Sequence, residues 1–287
     1  MNNKPYLNGF NPGVKRYSRV SKRGRRGLAL SSIDKRQKFV IAIITLSLGL
    51  FFAEHQFNKA GIYIAFFLAI FTNLFLLWAV YQDIKENFTL EVFILPFFYS
   101  LSFGLFYFLT PTVFFSRLLL TGVYAFGLYS LFLSQNIFVV SSIRTIALLS
   151  GARIVSFVIT LISYFFLTNI VFSLHLTIFP VLVLLLLYSY FLVYHSLWTN
   201  TLQKPPQPLS VWASGVTVCL VEATTILWFW PSSPTVIALF LTGFFYTIVG
   251  LSHIWFERRL FKGIMWEYVW VGCIVFFVLI LFTPWGK

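Results

Sequence analysis

Nine runs of sixteen to twenty-two mostly apolar residues follow one another along this chain, separated by short polar breaks. A helix must carry about 20 apolar residues to cross roughly 30 Å of hydrocarbon at 1.5 Å per residue. Inside a bilayer every backbone amide has to be satisfied within the segment, and only a helix does that for one run at a time. The runs at 39–54, 61–81, 90–109, 113–133, 155–174, 177–198, 209–230, 235–256 and 268–285 therefore predict an all-α polytopic bundle of about nine spans. Composition agrees, since 59% of residues are apolar and only 10% charged. A soluble domain carries charge at about a quarter of its positions. The breaks hold Pro111, Pro205, Pro206, Pro208, Pro231 and Pro234, where a missing N–H costs no ladder bond. Residues 134–154 are too polar for a clean span. They read either as an interfacial helix or as an extension of the fourth or fifth span.

Charge orients the bundle. Eleven lysines and arginines lie in residues 1–38, and Lys85, Arg144, Arg153, Lys204, Arg258, Arg259 and Lys262 fall on the same side if the runs alternate. Only Lys59, Arg117 and Lys287 fall on the other. Eighteen against three predicts a cytoplasmic N-terminus and an external C-terminus in a plasma membrane.

The chain thus divides into a basic arm, 1–38, and a transmembrane domain, 39–287. The arm is polar and glycine-containing, which predicts disorder. Its cations Lys15, Arg16, Arg19, Lys22, Arg23, Arg25 and Arg26 suit anionic lipid at the cytoplasmic face, each contributing about 1 kcal/mol near the surface. Protein partners on that face are a further expectation. Nucleic acid is the less favoured partner, because a basic tail alone does not separate lipid phosphate from RNA phosphate.

One ionisable residue stands inside a run. Glu222 interrupts "VTVCLVEATTILWFWP" about 12 Å from the end of its span. An intramembrane carboxylate marks a functional-site hypothesis that calls for a partner. Gly215, Cys219 and Thr225 share its helix face, and this small stripe predicts that Glu222 faces other helices. Arg117, with Thr121 and Tyr124 on its face, lies at a similar depth. The expected candidate site is an Arg117–Glu222 pair assisted by Thr225, Tyr124 and Cys219. It would line a small polar cavity for transport or lipid handling, or lock the bundle of a non-catalytic scaffold or assembly factor. Arg117 reaching the surface on its own is the competing arrangement.

Asn73 and the Ser156, Thr160, Ser163 stripe read as interhelical hydrogen bonding. His195 ends the sixth span, while His253 and Glu257 share a face of the eighth at a spacing that two metal ligands use. Without a third ligand in register, capping is the better reading. Cys219 and Cys273 lie in apolar runs and suit neither a disulfide framework nor zinc. No phosphate loop, HExxH helix or nucleophile elbow occurs, so no cofactor is expected and the sequence leans away from an enzyme.

The stretches "ENFTLEVFILPFFYSLSFGLFYFLTP" and "SSIRTIALLSGARIVSF" resemble uncharacterised bacterial multi-pass membrane proteins. The resemblance implies a membrane bundle and carries no activity, cofactor or site residue.

Overall fold

Runs this apolar fold as helices, and the computed structural model describes nine of them within residues 35–56, 61–84, 89–109, 114–141, 148–202, 209–256 and 262–284. They are α1 (Lys35–Gln56), α2 (Gly61–Ile84), α3 (Ile94–Leu109, entered through a 3₁₀ turn at Leu90–Phe93), α4 (Phe114–Ser141), α5 (Leu149–Ser173), α6 (Ile178–Thr201), α7 (Leu209–Trp228), α8 (Pro234–Phe256) and α9 (Lys262–Phe282). Eight, α2 to α9, are long and apolar enough to cross a membrane. The ninth, α1, opens on Lys35, Arg36 and Lys38. Among the described residues there is no strand. The arm cations from Lys15 to Arg26 lie outside the described residues.

Several helices overrun their apolar runs. Helix α1 begins at Lys35 and α9 at Lys262, because a helix continues past the hydrocarbon wherever its end residues can remain in water. Residues 134–141 continue α4, and 149–154 open α5. The extension reading of 134–154 holds for those residues, while 142–147 lie outside the described residues. Pro96 stands in the first turn of α3, where its missing N–H has no intrahelical partner to lose.

Contacts fix the helix directions. Lys38 sits over the Trp78 ring at 5.1 Å, joining the start of α1 to the end of α2. Arg153 near the start of α5 bonds the end of α6, and Trp228 at the end of α7 bonds Leu176 just before α6. The helices therefore alternate. The starts of α1, α3, α5, α7 and α9 share one end of the bundle, called here the basic end, with the ends of the even-numbered helices.

Helix α5 is central, packing on α3, α4, α6 and α8. Helices α1 and α2 flank α3 and α4, whereas α7 packs on α6 and α8, and α9 on α8. Burial follows: 61% of the apolar window of α3 is buried, against 6% for α9. Polar side chains in this core are largely satisfied locally. Thr160 bonds Ser156 O and Ser163 bonds Ile159 O, so the fifth-helix stripe returns its hydrogen bonds to its own backbone and not across helices. Interhelical bonds arise elsewhere. Thr72 donates to Leu68 O, so it accepts from Ser100 (2.7 Å), which in turn accepts from the Tyr124 hydroxyl (3.0 Å). This relay ties α2, α3 and α4 together.

Candidate functional site

The residues expected to form one intramembrane site are not brought together. Tyr124 is fully buried and committed to Ser100. Thr225 bonds Val221 O, one turn back on its own helix. Arg117 is half-buried on α4, which packs on α1, α2, α3 and α5, whereas Glu222 is carried by α7 on α6 and α8. The buried face of α7 is Ala213, Val216, Thr217, Leu220, Thr224 and Leu227. Glu222 lies on the opposite face with Gly215, Val218, Cys219 and Ile226, all exposed. Glu222 is thus turned outward, where the sequence expectation had it facing other helices of the chain. The physical reason is that a helix apolar on every side has no hydropathic contrast to show which face is buried.

Glu222 lies six residues before Trp228, about 9 Å from that helix end at 1.5 Å per residue. Helical Cα–Cβ bonds tilt toward the N-terminus, so its side chain leans toward Leu209 and away from the nearer surface. Gly215 has nothing within 4 Å of where a Cβ would stand, leaving a shallow open place on the same face.

A second polar assembly occupies the basic end, built on the last turns of α6. Three consecutive residues, Tyr194, His195 and Ser196, project about 100° apart and so meet different neighbours. Tyr194 interacts with Glu91 of the 3₁₀ turn before α3. His195, fully buried, places Nε2 3.4 Å from Gln135 Nε2 of α4. His253 of α8 places Nε2 3.2 Å from Ser196 O and 3.3 Å from Ser196 Oγ. A carbonyl only accepts, so Nε2 of His253 carries the proton. Arg153 of α5 completes the ring, donating from Nε to Thr199 O (3.0 Å) and from Nη2 to Asn200 O (3.2 Å). Those carbonyls belong to the last turn of α6, where no intrahelical donor remains and the helix dipole is negative.

Satisfaction in this hub is incomplete. Nδ1 of His195 and Oε1 of Gln135 are buried without a hydrogen-bond partner. Whichever way the amide and the imidazole are assigned, one donor and one acceptor are left over. Among the described residues no group of three His, Cys, Asp or Glu side chains is placed to hold a metal. His253 serves as a helix-to-helix contact through Ser196, and Glu257 lies outside the described residues.

A family model described as "Protein of unknown function (DUF5656)" matches residues 40–282. The chain belongs to this family. No curated protein and no solved structure matches it. The DUF5656 match runs from α1 to the end of α9, so it takes in both Glu222 and the α6 hub and leaves the whole basic arm, 1–38, outside.

Sequence reasoning placed Glu222 in the DUF5656 bundle but missed the hub as a unit. Its signal was the "YHS" triplet at 194–196 opposite "QN" at 135–136. Uninterrupted polar residues near a span end are ambiguous between interface and core, and only packing shows that His195 and Gln135 are wholly buried.

Proposed function

We propose that this DUF5656 protein is a non-catalytic assembly factor of a bacterial plasma membrane that docks a partner transmembrane helix on the exposed face of α7. The observation that carries this reading is Glu222, an ionisable side chain turned outward from the bundle at membrane depth. Leaving a carboxyl in hydrocarbon costs several kcal/mol. A helix that brings a lysine, arginine or amide donor to it removes that cost. The small residues Gly215 and Cys219 let such a helix approach closely. In this reading the basic end faces the cytoplasm, and the arm from Lys15 to Arg26 rests on anionic lipid.

A photo-crosslinking residue at position 219, in cells expressing the full chain, tests the proposal. The expected result is one discrete membrane-protein adduct, reduced about tenfold by Glu222→Leu, the loss of one intramembrane hydrogen bond of roughly 1–2 kcal/mol. Gly215→Leu is expected to abolish the adduct while leaving the unfolding midpoint of the purified bundle unchanged, because its side chain meets nothing in the chain. Adducts with lipid alone, or an adduct indifferent to Glu222→Leu, overturn the reading.

Transport or lipid handling remains the second reading, now centred on the α6 hub because His195 and Gln135 keep unused hydrogen-bonding capacity. Joint replacement by His195→Phe and Gln135→Leu is expected to hold or raise the thermal midpoint, since two half-satisfied buried groups leave together. Loss of a cellular phenotype in that stable variant would favour the hub over α7.

A further inference from the structure

Among the clefts lined by described residues three stand out, and two of these are lipid-facing grooves with apolar walls. One lies between α1 and α2, lined by residues such as Leu46, Tyr63 and Phe67, and one lies between α8 and α9, lined by residues such as Phe240, Val269 and Phe276. The third differs in chemistry and position. It has a volume of about 250 Å³ and lies at the end of the bundle opposite the basic end, between the α5–α6 turn and the α7–α8 turn. His175, Leu176, Trp228, Trp230, Ser232 and Pro234 are among its lining residues.

The site is held rigid by its own sequence. His175 takes a left-handed backbone conformation (φ 46°), and its N–H bonds Phe172 O, which turns the chain sharply after α5. Trp228 donates its indole N–H to Leu176 O (3.4 Å), and Trp230 donates to Thr283 Oγ1 beyond α9 (2.8 Å). Both indole N–H donors are therefore occupied within the fold. Ser232 Oγ, buried and without a hydrogen-bond partner, is a polar group the fold itself does not use. Among the described residues no lysine, arginine, aspartate or glutamate lines the cleft. A phosphate would meet no ammonium or guanidinium, and a quaternary ammonium no carboxylate.

We propose that this cleft binds a single uncharged sugar residue, either as the headgroup of a membrane lipid or free in the adjoining water. A sugar ring has the two surfaces the cleft asks for. Its C–H faces pack on indole, and its hydroxyls exchange hydrogen bonds with the His175 imidazole and with Ser232 Oγ, which a rotation about χ1 turns into the cleft. The volume suits one ring, below the usual range of sites for larger ligands. Tryptophans at a membrane–water interface place the cleft where a lipid headgroup lies.

Native mass spectrometry of the full chain, purified in a detergent without a sugar headgroup, tests the assignment. Monoglucosyl diacylglycerol is the lipid probe, dioleoyl phosphatidylethanolamine the comparator and methyl glucoside the free sugar. Glucosyl lipid is expected to be retained about tenfold more tightly than the comparator. Ser232→Ala should weaken it roughly five- to tenfold, the loss of one hydrogen bond. The unfolding midpoint should not change, since Oγ bonds nothing in the fold. Ser232→Phe should abolish retention by filling the cleft. Competition by methyl glucoside supports a free sugar as ligand, and glycolipid retention without such competition supports the lipid. Equal retention of both lipids, retention of neither lipid together with no binding of methyl glucoside, or retention that survives Ser232→Phe overturns the proposal.

Discussion

Gly104→Leu is expected to lower the unfolding free energy of the bundle by about 3 kcal/mol, at the upper end for an over-packed core. A Cβ at position 104 would stand 2.9 Å from Ala65 Cβ and 3.0 Å from Ala65 Cα. The second contact is backbone, so no rotamer change relieves it. Among the described residues α2 and α3 share the most extensive helix interface, and they approach closely because small residues face one another there. Ser100, one turn before Gly104 on α3, accepts the Tyr124 hydroxyl hydrogen bond and donates to Thr72 of α2 at 2.7 Å. Forcing the two backbones apart would therefore strand a buried relay as well as open the packing. Gly104→Ala should retain part of this penalty. Gly49→Leu serves as the control, because nothing lies within 4 Å of its Cβ position. Denaturation in mixed micelles, followed by tryptophan fluorescence, measures all three. A Gly104→Leu protein as stable as the Gly49→Leu control would show that α2 and α3 do not meet at Ala65.

The same distinction between backbone-tight and open glycines explains what could be read from the residues. Hydropathy locates a span because crossing the bilayer is a length condition that each run meets on its own. It does not say where a helix ends, which is why α9 starts at Lys262 and α4 continues through Gln135 and Asn136 to Ser141. Nor does it rank helical faces when every face is apolar. Gly215 and Gly104 look alike as small residues in apolar runs, yet one is open and the other pressed against a neighbouring backbone. The stripe around Glu222 was misassigned for that reason. Tyr124 and Arg117 share a helix with a consistent buried face, and the Tyr124 hydroxyl goes to Ser100, a residue whose register relative to α4 no local pattern specifies. The α6 hub was hidden by the same gap, since its four partners come from positions 91, 135, 153 and 253.

Arg153→Met is expected to destabilise the bundle by about 2–3 kcal/mol and to loosen the end of α6 more than any other helix. Hydrogen bonds from a charged donor contribute roughly 1.5–3 kcal/mol, and those of Arg153 include bonds to Thr199 O and Asn200 O. Thr199 is buried, so its carbonyl would be left in the core without a compensating donor. The cation also faces the negative end of the α6 dipole, whereas at the start of its own helix α5 it gains nothing from that term. Its placement is thus explained by α6 and not by α5. Arg153→Lys should recover less than half of the loss, because an ammonium on a flexible stem does not span two carbonyls as the planar fork does. Hydrogen exchange separates this local effect from general unfolding. Amides near His195 and Ser196 should exchange faster in Arg153→Met under conditions where α3 is unchanged. Fraying there would also release the Ser196–His253 and His195–Gln135 contacts, so a ligand held at the hub should be lost together with the cap. Uniform acceleration across all helices would instead mean that Arg153 supports the bundle as a whole and that the α6 end is not a separate unit.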